Sequence, residues 1–302
     1  MTVYWPDYVE SNCRQNYSYY VSSEFLMTGY HTLALITIPL SIFTFFTIIR
    51  VTPTKMKNMK IPMLIALAWS TNLDLMLTVH LTPFMFFPSA AGVPMGLLGS
   101  VMTEAKWLAY LGQVSIITFY LEDSNQLELR QFVLKRIPCP AIEFYDKNAI
   151  VLLKGGELLP FLSISGGLMI IVVQSLFFSI HTVYHLNYVK NAHVSESTKA
   201  LQRKFLSYVA MQVTIPWTAL VTPILYSLYA DKNDYYDQTL NNISMLLMAS
   251  HGLMSTACTL FIIKPYREFV KSIFKGNKSY NPKELWATSV QNRGSIGSVT
   301  TG

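Results

Sequence analysis

The sequence predicts an all-α, polytopic transmembrane helix bundle, and its composition is the first reason. Hydrophobic residues make up 51% of the 302 residues and charged residues only 13%, whereas an average soluble protein has about 25% charged residues. The second reason is that the chain contains five apolar segments long enough to cross a bilayer. The net charge of +6 lies in short basic runs between these segments, which is typical of a membrane topology signal and not of a nucleic-acid-binding face.

Each predicted span approaches or exceeds the roughly 20 residues that a helix needs to cross about 30 Å of hydrocarbon. Proline or glycine occurs inside each of them, which a bundle tolerates because neighbouring groups re-satisfy the freed backbone. The bundle is expected to cover residues 25–263. The predicted spans are 33–49 extended back to about Phe25, Ile61–Pro88, Leu158–Val183, Phe205–Ala230 and Ile243–Ile263.

A sixth apolar segment, Trp107–Leu121, is too short to span the bilayer as a helix. The polar stretch EDSNQ follows it directly and offers no apolar continuation. We therefore predict five clear spans and one short or re-entrant segment.

Basic residues in the short loops set the orientation, because cytoplasmic loops carry an excess of Lys and Arg. Residues 50–60, 184–204 and 264–278 are rich in Lys and Arg, whereas 231–237 contains three aspartates and one lysine. This pattern puts the N-terminal segment 1–24 outside and 264–302 in the cytoplasm. The spans on either side of residues 88–156 already cross the membrane twice, so that stretch should begin and end outside.

Three polar residues at membrane depth are the candidate ligand-binding residues: Asp74, His80 and His251. A carboxylate inside a span costs about 2.5–3.5 kcal/mol on insertion scales and normally faces the bundle interior or water. One interpretation of Asp74 is a cation-linked or proton-linked switch. The other is a structural hydrogen bond to Asn72, Ser70 or a neighbouring helix, and both histidines have the corresponding structural interpretation.

The three cysteines lack the paired spacing of a zinc site, and no motif indicates a metal, a cofactor or an enzyme active site. Cys13 and Cys139 are both predicted outside, so they are the candidates for the one disulfide that the topology permits. Asn16 lies in the sequon NYS and is a candidate for glycosylation. Cys258 is predicted inside the last span.

The segment after the last span combines apolar and basic residues at helical spacing, in the sequence KPYREFVKSIFKGNK. This pattern predicts a short amphipathic helix on the anionic inner leaflet, with Pro265, Tyr266 and Arg267 in the coupling or membrane-surface region. A plain positive flank to the last span is the alternative. The small polar residues of QNRGSIGSVTTG predict a disordered end to the tail.

Several short motifs together carry a resemblance to a known family. They are TPTKM after the first span, NLDL in the second, IPCP in the loop, LQRKF and IPW near the fourth, HGLMST in the last span and KPYREF after it. In this order and spacing, from about Cys13 to about Lys271, the chain resembles nematode seven-transmembrane chemoreceptors of serpentine receptor class H. The resemblance implies a rhodopsin-like bundle that binds a small-molecule cue, couples to a heterotrimeric G protein and resides in the plasma membrane of sensory cells, such as sensory neuron cilia.

The chain departs from the family around its short segment. The family has seven spans, and its third ends in an acidic-Asn-Arg type motif, but here the arginine is missing. In one alignment, Tyr110–Ile117 begins span three and is joined near Thr118 to the end of span four; in the other, Glu122, Asp123 and Ser124 stand at the motif. G-protein coupling therefore stays open, with a transporter or a non-signalling truncated receptor as the alternatives, although no internal repeat of hydropathy favours a transporter.

Overall fold

The computed structural model describes residues 13, 18–53, 57–99, 126–146, 148–153 and 196–275, with eight helical residues between 166 and 184. The predicted short segment 107–121, Asn16 and the end of the tail lie outside these residues. The helices are α1 (Ser23–Val51), α2 (Lys57–Leu75), α3 (Gln126–Arg136), α4 (Glu196–Asn233), α5 (Gln238–Ala249), α6 (His251–Ile262) and α7 (Lys264–Phe274). The strands are β1 (Pro83–Met85), β2 (Ala90–Pro94) and β3 (Ile150–Leu153).

Within the described residues, three helical stretches are long and apolar enough to cross a membrane: Ser23–Val51, Lys60–His80 and Gln238–Ile262. Their outward faces carry exposed apolar side chains, which indicates contact with lipid rather than water. Examples are Leu35, Ile42, Ile65, Trp69 and Phe261. The described residues of the third predicted span also lie in helix, and they too expose apolar side chains, among them Met169, Val173 and Phe177.

The predicted second span, Ile61–Pro88, is wrong at its C-terminal end. Helix α2 continues as a π-helix over Met76–His80, and the chain then enters the strand β1. Pro83 lacks the N–H that a helix would need at this point and restricts the residue before it to non-helical conformations. Thr82, the residue before it, has φ 37°, which lies outside the helical range.

The fourth and fifth predicted spans both lie in helices, with different bounds. Residues 205–230 fall inside the longer α4. The last span begins earlier than predicted, because Asp237 caps α5 by accepting a hydrogen bond from the Leu240 N–H at 3.1 Å. It is also divided at Ser250, where α5 ends and α6 begins.

One end of the bundle is covered by a small antiparallel sheet that the sequence analysis did not predict. Its strand order is β1-β2-β3, with Phe84 opposite Val93 and Gly92 opposite Ile150. Helix α3 is attached to β3 by Gln126, whose amide donates to the Val151 carbonyl at 3.1 Å and accepts from the Val151 N–H at 3.0 Å. We call the sheet, α3 and the 3-10 turn Ile142–Tyr145 the cap.

The cap packs on the bundle through one continuous apolar core. Fully buried aromatic rings lie at its centre, with Phe86 contacting both Phe84 and Phe144 edge to face. The ends of α1 and α5 contribute to the same core, so the cap and the bundle bury their apolar surfaces together. Buried members of this core include Leu26, Tyr30, Phe84, Phe86, Val93, Val133, Ile137, Phe144, Val151, Met245 and Ala249.

A second core joins the opposite ends of the helices to α7. The Tyr266 ring is completely buried, and its hydroxyl lies 2.7 Å from Thr52 Oγ1 at the end of α1. The Phe269 ring stacks on Phe43 at a centroid distance of 6.2 Å. Its buried members are Ile48, Val51, Leu67, Leu260, Ile263, Tyr266 and Val270.

An ion pair fastens the cap to α4. The Arg136 guanidinium contacts the Asp231 carboxylate at 2.7 Å and also binds the Asp231 carbonyl and the Asp234 carboxylate. Burial alone would lower the pKa of Arg136, but its hydrogen bonds and charge interactions with the two aspartates raise the pKa above its usual value. Arg136 therefore stays positively charged at every physiological pH, and we call its contacts with Asp231 and Asp234 the clamp.

Replacing Arg136 with glutamine should loosen the cap. The change leaves Asp231 and Asp234 without their cation, and we expect it to cost about 2 kcal/mol of stability, in the range of hydrogen bonds to charged groups. Thermal unfolding of the purified protein in nanodiscs measures the loss. Lys135→Gln is the matched control because Lys135 is the exposed neighbour in the same helix turn; equal effects of the two changes would contradict the clamp.

The structure joins Cys13 to Cys139, with 5.5 Å between their Cα atoms. We expect Cys13→Ser to lower the free energy of unfolding by about 2–4 kcal/mol, since the bridge closes a long loop of the unfolded chain. Cys258→Ser, at the free cysteine, should have a smaller effect. Peptide mapping without reductant checks the pairing directly, and recovery of both thiols in free form would disprove it.

Candidate functional site

Two of the three predicted polar residues at membrane depth meet in the bundle interior. Asp74 near the end of α2 is 3% exposed, and its Oδ1 lies 3.2 Å from Nδ1 of His251 at the start of α6. The same His251 nitrogen donates a hydrogen bond to the Met248 carbonyl at 3.1 Å. The pair thus connects α2 to the junction between α5 and α6.

Gly252 makes this approach sterically feasible. A Cβ atom built on Gly252 would overlap the Asp74 carboxylate. Since only glycine leaves that volume empty, the carboxylate packs directly against the backbone of α6. The motif HGLMST therefore contributes a histidine partner and the space beside it.

Several polar groups on α1 and α2 are buried without a hydrogen-bond partner of good geometry among the described residues. On α2 they are both Asp74 carboxylate oxygens and the hydroxyls of Ser70 and Thr71, which precede Asp74 by one helical turn. On α1 they are the Thr37 and Ser41 hydroxyls. Buried polar groups are normally paired, so these oxygens retain capacity to accept a proton or a polar ligand group.

The neighbouring Thr78 hydroxyl does not add to this capacity, because it donates to the Asp74 carbonyl at 2.7 Å. A buried carboxylate in a medium of low dielectric constant is costly unless a positive group or a proton compensates it. Chemically, the site can hold one positive charge next to Asp74. Within the described ranges there is no group of three His, Cys, Asp or Glu residues that could hold a metal ion.

His80 lies apart from this pair. It is the last residue of the π-helix Met76–His80 and is partly exposed, and its carbonyl accepts from the Leu98 N–H at 3.0 Å. Gly96 packs so closely on this carbonyl that a Cβ there would overlap it. The structure thus gives the His80 backbone a role in joining α2 to the cap and does not bring His80 to Asp74.

The residues predicted for the coupling or membrane-surface region all lie on α7. Pro265 stands in its first turn and is buried, as is Tyr266, whereas Arg267 is partly exposed. Ile273 and Phe274 are 51% and 86% exposed. Of the three predicted residues, Arg267 is the one that offers a charged side chain to a partner or to lipid headgroups.

Sequence analysis missed a row of amide side chains at the start of α5. Asn242 donates to the Tyr20 carbonyl at 2.9 Å, Asn241 donates to the Phe87 carbonyl at 3.1 Å, and Gln238 donates to the Met85 carbonyl at 3.0 Å. All three are buried. Their spacing of three and four residues places them on one helix face. This spacing was the feature of the sequence from which the row could have been predicted.

Comparison with known proteins supplies the family. The sequence profile described as "Serpentine type 7TM GPCR chemoreceptor Srh" matches residues 21–120 and 114–276. The chain belongs to the Srh family. The predicted resemblance and the predicted rhodopsin-like, polytopic helix bundle are thereby confirmed, and the Srh family is one of membrane receptors rather than enzymes.

A curated relative of this Srh chain is "Serpentine receptor class H-72" from Caenorhabditis elegans. The two are 24% identical over 327 residues, covering 92% of this chain and 94% of the relative. The alignment is longer than the 302 residues of this chain, so part of the relative has no counterpart here. No solved structure matches the chain.

Gly252→Ala should destabilise this Srh receptor, because the added methyl group displaces the Asp74 carboxylate. We expect a loss of about 1–3 kcal/mol, typical of overpacking in a well-packed interior. Asp74→Ala in the same chain should remove the clash, so that the double variant unfolds at a higher temperature than Gly252→Ala alone.

The matched control is Gly166→Ala, because a Cβ at Gly166 meets no atom within 4 Å. Thermal unfolding in nanodiscs measures all four proteins. Equal destabilisation by the two glycine changes would contradict the assigned packing, and so would the absence of any relief by Asp74→Ala.

Proposed function

We propose that this Srh receptor binds a small-molecule chemical cue in its bundle but activates a G protein poorly. The observation that carries the proposal is the position of the chain on either side of residues 100–125. Leu97 and Leu98 donate to carbonyls of Val79 and His80, and Gln126 pairs with Val151 of β3. The described residues on both sides of this segment therefore lie at the cap.

Length limits what such a segment can do. A helix rises 1.5 Å per residue, so 26 residues extend about 39 Å, whereas two crossings of the hydrocarbon require about 60 Å. A single crossing would place Gln126 on the side of the membrane opposite the cap, whereas Gln126 pairs with Val151 of the cap. A stretch of 26 residues between two positions at the cap is consequently too short for spans three and four of a seven-span receptor.

The family comparison supports the same reading. Its two matched ranges overlap at residues 114–120, which is expected when one chain segment stands for two separate parts of the family pattern. The longer alignment with the class H-72 receptor agrees. The stretch absent here would include the acidic-Asn-Arg motif at the cytoplasmic end of span three.

Loss of that region bears on signalling rather than on binding. A receptor transmits a signal when a ligand favours one arrangement of the helices and their cytoplasmic ends move to accept a partner. The buried Asp74–His251 pair and the cap are both present. A ligand-responsive bundle can therefore persist where the coupling surface is incomplete.

The orientation proposed here has the cap outside the cell, in the plasma membrane. The Cys13–Cys139 disulfide lies at the segment between α3 and the turn Ile142–Tyr145 of the cap, which suits an oxidising compartment. Basic residues flank the opposite end, including Arg50, Lys60, Lys264 and Arg267, in agreement with the positive-inside rule. The exposed Ile273 and Phe274 of α7 suit the inner leaflet of the bilayer.

Binding and coupling are tested separately in nanodiscs. A panel of small volatile and water-soluble organic compounds is screened for a rise in the unfolding temperature, and each stabilising compound is then tested for GTPγS uptake by added G protein. We expect stabilisation with little nucleotide exchange, and a smaller rise in the Asp74→Asn variant if the compound contacts the predicted residues.

A chimera provides the matched control, with the stretch that this chain lacks inserted near Thr118 from the class H-72 receptor. We expect the insertion to restore nucleotide exchange at least tenfold, equivalent to about 1.4 kcal/mol of coupling. Strong exchange by the natural chain would refute the coupling defect. Uptake of the compound into proteoliposomes would instead indicate a transporter.

A further inference from the structure

The two spans that meet at the Asp74–His251 pair both change their backbone geometry immediately on the cap side of it. Helix α2 passes from α to π geometry at Met76, two residues after Asp74. The last span has an irregular turn at Ser250, one residue before His251, where the Ser250 N–H is shared between the Leu246 and Leu247 carbonyls. Irregular turns of this kind are common where a helix bends or serves a function.

On the cap side of these breaks, the two spans are tied to each other. Gln238 at the start of α5 donates to the Met85 carbonyl of β1, and Asn241 donates to the Phe87 carbonyl. Met245 and Ala249 of α5 share the apolar core of the cap with Phe84. Residues 76–94 and 238–249 thus form one body with the cap, which we call the outer unit.

On the other side, the same spans belong to a second body. Leu67 of α2 and Leu260 of α6 lie in the core that includes Tyr266 of α7. The Tyr266 hydroxyl also contacts the Met63 sulfur at 3.9 Å. We call α2 up to Asp74, α6 and α7 the inner unit.

Local backbone and side-chain features accompany both breaks. Six residues beyond the first break, inside the outer unit, Thr82 has φ 37°, a conformation that β-branched residues rarely adopt, and its buried hydroxyl has no hydrogen-bond partner among the described residues. At the other break, the Ser250 hydroxyl donates to the Leu247 carbonyl at 2.7 Å. A side chain that bonds its own preceding turn commonly accompanies a bend in a helix.

We propose that these two breaks form a hinge on which the outer unit moves relative to the inner unit, with the Asp74–His251 contact as its latch. The latch lies at the level where both helices can bend. Helix α1 runs past this level without a break, and its Pro39 leaves one backbone hydrogen bond unmade and so permits it to follow. Movement of the cap would thereby reach the inner ends of the helices.

Distances between spin labels test the hinge without any ligand. In a Cys258→Ser background with the Cys13–Cys139 disulfide intact, cysteines are placed at exposed lipid-facing or cap positions, Leu240 and Leu127 in the outer unit and Ile65 and Phe261 in the inner unit. The pair Leu240 with Ile65 crosses the hinge. The pairs Leu240 with Leu127 and Ile65 with Phe261 stay within one unit and are the internal controls.

Two variants release the latch, Asp74→Asn and His251→Gln, so that the test survives if one of them fails to fold. We expect the distance distribution across the hinge to shift or broaden beyond the variation of both control pairs, while the control pairs keep their natural distributions. An unchanged distance across the hinge in the folded variant would overturn the proposal, and so would equal changes in all three pairs. The result is independent of G-protein coupling.

Discussion

Within hydrocarbon, every backbone N–H and C=O group must find its partner inside the protein, and much of this structure follows from that constraint. Continuous helices satisfy it over most of α1, α2 and α4–α6. Where α2 ends, the turn after β2 takes over, with N–H groups of Leu97 and Leu98 reaching the last helical carbonyls. Where the last span is divided, the Ser250 hydroxyl and the His251 ring bind the Leu247 and Met248 carbonyls.

The same requirement explains why α5 begins with amide side chains. The strand β1, the turn after it and the segment before α1 all present carbonyl groups at the edge of the bundle, and an amide can donate to a carbonyl without carrying a charge. Gln238, Asn241 and Asn242 meet these carbonyls, and the Tyr236 hydroxyl extends the row by accepting from the Ala141 N–H at 2.9 Å and donating to Gln238. Burial raises the pKa of Tyr236 above its usual value, so this hydroxyl keeps its proton.

The sequence was sufficient to predict features that depend on composition and periodicity. The helical spans, the polar residues at membrane depth and the family could all be inferred, because twenty apolar residues in a row or a basic loop is a local signal. The sheet of the cap could not, since β1 and β2 are short apolar strands that continue the hydropathy of the second span and are paired by contacts distant in sequence, such as Gly92 with Ile150. The meeting of Asp74 with Gly252 depends on helix packing and leaves no trace in either segment alone.

The bond between Cys13 and Cys139 spans 126 residues of sequence and joins a segment made early to one made after two spans have been synthesised. In the orientation proposed above, the first cysteine enters the oxidising compartment as an unpaired thiol during translation and has no native partner until the second arrives. Formation of this disulfide is therefore a late event in biogenesis. In the interval, the cell's thiol chemistry, rather than the fold, must keep the early cysteine from a wrong partner.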